Sequence, residues 1–133
     1  MTPDLMPTVP VSVGELVDKV TILTIKVERL TGEAARANVA EELGLLTGEL
    51  NRLALDPDML ASGREALLAV NRQLWEVEDF LRICESRTDF SAGFVEAARS
   101  VYRLNDQRAQ IKKAINHTFG SRLIEQKSYA EKP

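Results

Sequence analysis

Residues 11–30, VSVGELVDKVTILTIKVERL, place Val13, Leu16, Val20, Leu23, Val27 and Leu30 at intervals of three and four. That spacing returns side chains to one face of a helix with 3.6 residues per turn, so it predicts an amphipathic helix. Ser12 stands three residues before Glu15, a capping box in which each side chain satisfies the other's free backbone amide. Thr31 and Gly32 supply the stop.

Three further segments repeat the pattern. Val39, Leu43, Leu46, Leu50 and Leu53 mark a second helix over roughly 34–54. Gly44 and Gly48 either weaken it or permit a close helix contact. Leu67, Val70, Leu74, Val77, Leu81 and Cys84 mark a third over about 59–87. Asp58, in the turn Asp56-Pro57-Asp58, is its expected cap, and Ser62-Gly63 is where its first turn could divide off. Phe94, Ala97, Val101, Leu104, Ile111 and Ile115 mark a fourth, running from a cap at Thr88 or Asp89 to near Phe119, with Gly120 as its stop.

Short connections make successive helices antiparallel neighbours, so the expected fold is all-α: an antiparallel up-down-up-down four-helix bundle over residues 12–119. Pro3, Pro7 and Pro10 make residues 1–11 an extended arm, and residues 120–133 form a C-terminal tail. The longer third and fourth helices should project beyond the first two, leaving a groove or an end that the tail could cover.

Composition agrees with one domain. The chain has 133 residues, 44% hydrophobic but only 5% aromatic, which suits a single aliphatic core. The lone cysteine, Cys84, falls on the third seam as a small hydrophobe and cannot form an intramolecular disulfide. A reducing, cytoplasmic setting is the expectation. No secretory leader is visible, and no apolar run approaches the ~20 residues that span a bilayer, so no membrane partner is expected. The net charge of -3 divides unevenly: residues 1–98 carry -8 and residues 99–133 carry +5. Either the basic final helix pairs with acidic neighbours, or it presents an anion-binding surface.

Counting removes several chemistries. With one histidine, His117, and one cysteine, the chain lacks the ligands of a bundle di-iron site, a zinc protease or a structural zinc site. No phosphate-binding Gly-rich loop and no nucleophile elbow is present. No metal, cofactor or catalytic residue is therefore assigned. His117, near the end of the fourth helix, reads as a partner for terminal carbonyls. Glu76 and Asp79, with Glu41, Glu42 and Glu49, only faintly suggest the magnesium carboxylates of all-helical nucleotide pyrophosphohydrolases, because Leu45 occupies the third carboxylate position. A solvated acidic face accounts for them. Nucleic acid is disfavoured, since the chain is acidic and Asp106 and Glu125 interrupt its basic residues.

Two departures from simple amphipathicity supply the candidate residues. On the first helix Glu15, Asp18, Ile22, Ile25 and Arg29 form a second stripe away from the main seam, mixed with Lys19 and Lys26. A wide apolar face, the tail, another protomer or a ligand could each cover it. On the fourth helix Arg108 occupies a seam position between Leu104 and Ile111, with Arg99, Arg103 and Lys112 nearby. A guanidinium there is either paired with Asp18 or Glu78 to fix helix register, or it binds a carboxylate or phosphate. Trp75, just off the third seam, broadens the core or anchors an oligomer contact.

The stretches VPVSVGELVDKVTILTIKVERL, LWEVEDFLRICE, FVEAARSVYRLNDQRAQIKKAIN and GSRLIEQKSY resemble a bacterial family of short helical proteins catalogued as a domain of unknown function, over residues 9–130. Members tend to have proline at the position of Val13 and glutamate at that of Gln126. The resemblance implies a helical fold in a bacterial cytosol and no particular activity. It also draws attention to Lys127, Ser128 and Tyr129, whose inclusion suggests that the tail docks on the Ile22 and Ile25 face. The expected function is a non-catalytic binding or assembly module that self-associates or binds another protein, with Asp18, Ile22, Ile25, Trp75, Lys127 and Tyr129 at its contacts. The alternative is a small enzyme or binding protein for an anionic metabolite, loosely similar to all-helical chorismate mutases, with Arg29, Arg99, Arg103, Arg108 and Lys112 holding the anion.

Overall fold

The computed structural model describes residues 5–126. Four helices account for nearly all regular structure: α1 (Val13–Arg29), α2 (Glu33–Arg52), α3 (Pro57–Ser86) and α4 (Ala92–Thr118). The all-α bundle expected from periodicity is the fold observed. The seam residues Leu16, Val20, Leu50, Leu67, Val70, Leu74, Leu104 and Ile115 form one buried cluster, with Leu43, Leu46, Val77, Val101 and Ile111 packed on its edges.

The helices are not four equivalent staves. Among the described residues α1 approaches all three others, α3 and α4 pack along each other, and α2 approaches α1 alone. Their sequences explain this. Helix α1 buries residues around most of its circumference, including Leu16, Val17, Asp18, Val20, Thr21, Leu23 and Ile25, as a helix enclosed by neighbours must. Helix α2 buries only Leu50 fully and offers a stripe wide enough for one partner. Its Gly44 and Gly48 face open space, so neither serves a helix contact within the chain.

Contact register sets the directions. Gly14, Glu15 and Asp18 meet Asn116, Lys112 and Arg108 in turn, so α4 descends as α1 ascends. Asp18 and Arg29 meet Asn71 and Glu76, so α3 runs in the same sense as α1. Helix α3 continues from Glu76 to Ser86 beyond the last turn of α1, and α4 starts beside that extension. The α3–α4 hairpin therefore projects beyond α1 by about 15 Å at 1.5 Å per residue.

The caps differ from expectation in instructive ways. Ser12 does cap α1, its Oγ accepting from the Glu15 amide at 3.1 Å. The Glu15 carboxylate does not return the bond, because it is drawn to Lys112 on α4 at 3.0 Å. The remaining amides of the first turn are satisfied from the far end of the chain: Val13 N donates to Ser121 Oγ and Gly14 N to Asn116 Oδ1. Asp56 caps α3 in place of Asp58, accepting from the Asp58 and Met59 amides, because Pro57 takes the first helical position. Ser91 precedes α4, and Asp89 accepts from its amide. Ser62-Gly63 does not divide α3, since Gly63 is where Ile115 of α4 closes in. Gly120 ends α4 in the left-handed region, φ 61°. No helix among the described residues is long and apolar enough to cross a membrane.

Candidate functional site

At the junction of α1, α3 and α4 lies a buried polar cluster centred on Asp18, whose side chain is 0% exposed. Arg108 Nε donates to both carboxylate oxygens at 3.0 Å, and Nη2 donates to Oδ2. Asn71 of α3 donates through Nδ2 to Asp18 Oδ1 at 2.9 Å and to Thr21 Oγ1 at 3.0 Å. The Thr21 hydroxyl in turn donates to the Asp18 backbone carbonyl, 2.7 Å away. Lys112, one turn after Arg108, places its ammonium 3.0 Å from Glu15, 2.8 Å from Glu125 and 3.9 Å from Asp18. Every buried side-chain nitrogen and oxygen among the described residues has a partner. Buried charge is tolerated only when it is so satisfied.

The charges hold one another in place. Arg108 sits above its ordinary value, chiefly through its hydrogen bond to Asp18, which outweighs the opposing effect of burial. For Lys112 burial is the largest influence and acts downward, but the hydrogen bonds to Glu125 and Glu15 and the nearby carboxylates together hold it above the ordinary 10.5. A cation raised on folding contributes stability that is complete below its unfolded pKa and is lost as pH climbs through the raised folded value. In a urea-melt series from pH 8 to 12 (roughly the lysine range), wild type should exceed Lys112→Met in stability below about pH 10, and the gap should close at the alkaline end. A gap constant across the range would show that the ammonium charge contributes nothing.

Of the five cations named as anion-binding candidates, only Arg108 and Lys112 converge, and both converge on acids. Arg29 pairs with Glu76 at 2.9 Å on the surface, and Arg103 and Arg99 both turn to Glu96, at 3.1 and 4.0 Å. Asp18 and Ile25, named as interface or tail-docking candidates, are buried within the bundle, where α1 packs against α3 and α4. Ile22 and Trp75 are half-buried. Lys127 and Tyr129 lie outside the described residues. The start of the tail, Ser121 to Gln126, does lie against the bundle through Ser121 and Glu125. Sequence reading missed Asn71, Asn116 and Gly14. Asn71 carried a signal, a polar residue four after Leu67 and next to Val70 within an apolar stripe.

Two recesses flank the cluster. A polar one of about 330 Å³ is lined by Gln110, Lys112, Lys113, Asn116 and Glu125. The other, about 350 Å³, lies between α1, α3 and α4, with Ile22, Ile25, Leu74 and Trp75 as apolar walls and Lys26, Asn71, Glu78, Arg82, Asn105 and Arg108 as polar and charged ones. No group of three or more His, Cys, Asp or Glu able to hold a metal occurs among the described residues.

This is a helical-bundle protein organised around a buried ion cluster in which every cation meets a carboxylate. It belongs to the family described as a family of unknown function (DUF6165), which matches residues 7–133 and so bears out the resemblance drawn from the sequence. No curated protein and no solved structure was found to match.

Proposed function

We propose that this protein is a non-catalytic assembly module of the bacterial cytosol that associates with a second copy of itself through the projecting end of the α3–α4 hairpin. The observation that carries the reading is apolar: Phe80, Ile83, Phe90 and Val95 on that end are each 45–50% exposed. Phe90 packs edge-to-face on Phe94 at 5.1 Å, and Phe80 lies beside Gly93. Clustered apolar side chains of this size mark contact surfaces on soluble proteins. A second copy is the occupant that the surrounding charge favours. Asp79, Glu85, Asp89 and Glu96 are interspersed with Arg82, Arg87 and Arg99, and a two-fold contact must complement itself. Cys84, buried on α3, supports a reducing compartment, as does the family resemblance.

The competing reading has Arg29, Arg108 and Lys112 clamping an anionic metabolite as in a small enzyme. It finds less support, because Arg29 and Lys112 are already paired with carboxylates and the three cations do not line one recess. Light scattering over a dilution series tests the proposal. Wild type should pass from dimer to monomer, and Phe80→Asp/Ile83→Asp should weaken association by about 30-fold or more, the scale of one lost hot spot, with helicity unchanged. A wild-type monomer at every concentration overturns it.

A further inference from the structure

We propose that the groove between α1, α3 and α4 binds a small carboxylate with a flat apolar body, an aryl-substituted acid of metabolite size. The site lies apart from the hairpin end, so the inference goes beyond self-association and does not depend on it. The argument begins with the half of Arg108 that Asp18 leaves unused. Asp18 takes Nε and Nη2, whereas Nη1 bonds to no described residue. Because no buried side-chain nitrogen among the described residues lacks a partner, Nη1 is reached by solvent, and of the two recesses Arg108 lines only this one.

A guanidinium presents several donors in a rigid fork, and anchoring one edge on a buried aspartate aims the other. Here the outer edge is held at a groove wall at no further ordering cost. Asn105 lies one turn before Arg108 on the same wall, and its amide has no hydrogen bond among the described residues. Lys26, also on the groove, makes no ion pair among the described residues. Ile22 and Ile25 on α1 and Trp75 on α3 supply apolar surface, and Glu78 and Arg82 of α3, of opposite charge, line the groove as well. A volume of about 350 Å³ is that of a small-molecule site, and its lining joins four apolar side chains to convergent polar and charged groups. The carboxylate would meet Arg108 Nη1 and the Asn105 amide with Lys26 supplying charge, while the ring stacks along Trp75.

Trp75 is the single tryptophan of the chain, so its emission reports on the groove directly. Full-length protein is titrated with phenylacetate, with phenylacetamide (the same ring without the charge) and with acetate (the charge without the ring). Phenylacetate should give a saturable change, and each of the other two should bind about tenfold more weakly or worse. Arg108 variants disturb the Asp18 pair and risk the fold, so the residue test uses Lys26→Met and Asn105→Leu. Each should weaken phenylacetate binding by roughly 3- to 10-fold, the scale of one charge-assisted bond, with the melting temperature unchanged. Any one of three results overturns the site: no saturable response to phenylacetate at millimolar concentration, an equal response to phenylacetamide, or indifference to both variants.

Discussion

Replacing Asp18 by alanine should lower the unfolding free energy by about 3–5 kcal/mol, the cost of removing one partner of a buried ion pair. For a domain of this size that lowers the melting temperature by on the order of 10–20 °C. The carboxylate is fully buried and accepts from Arg108 and Asn71, with Lys112 close by. Its removal leaves the Nε–Nη2 edge of Arg108 facing a fully buried position and the Asn71 amide with one hydrogen bond fewer. Arg108→Met alone should be comparably damaging, because it strands the carboxylate instead. The double variant Asp18→Leu/Arg108→Met should recover much of the loss, since an apolar pair of similar volume carries no desolvation penalty. Chemical denaturation of wild type, Asp18→Leu, Arg108→Met and the double variant gives the coupling energy, expected above about 3 kcal/mol because each single change costs at least that much and the double costs less than either. A loss below about 1 kcal/mol for Asp18→Ala would show that solvent reaches the site and that the pair behaves like a surface bridge.

Gly14→Ala should destabilise by about 1–3 kcal/mol, the usual cost of overpacking, although alanine is the better helix former by about 1 kcal/mol. An added Cβ at Gly14 would lie 2.5 Å from the Lys112 carbonyl oxygen and 3.0 Å from Asn116 Oδ1. The first of these is backbone and cannot swing aside, so α1 and α4 must separate. Separation also loosens the Gly14 N bond to Asn116 and the Glu15–Lys112 pair on the next residue. Gly44→Ala and Gly48→Ala on α2 supply the contrast. Nothing lies near either position, so each should stabilise by up to about 1 kcal/mol. Thermal melts of the three variants decide the matter by sign. A stabilised Gly14→Ala would mean that the α1–α4 approach is looser than its contacts indicate.

The helices and their core faces could be read from the chain because helical burial is periodic. Leu16, Val20 and Leu23 on α1 and Leu67, Val70 and Leu74 on α3 lie where spacings of three and four put them, and all are buried. The oddity of Arg108 was legible for the same reason, as was Asp18 as one of its two possible partners. A charge at a seam position must find an opposite charge, and the bundle offers few.

Which neighbour each face meets could not be read, because periodicity names a face and leaves its partner open. That among the described residues α1 is the hub and the α2 backbone approaches it alone follows from how closely particular backbones can come together, and Gly14 and Gly63 set those distances from positions that look unremarkable in the sequence. The second stripe of α1 looked like a docking surface because its mixed polarity fits several coverings. Within the folded chain its Asp18 and Ile25 are buried where α1 packs against α3 and α4, and Asn71 and Asn116 complete hydrogen bonds whose partners lie 53 and 102 residues away. Local spacing is a property of a few consecutive turns, whereas satisfying a buried charge depends on side chains brought together from three helices.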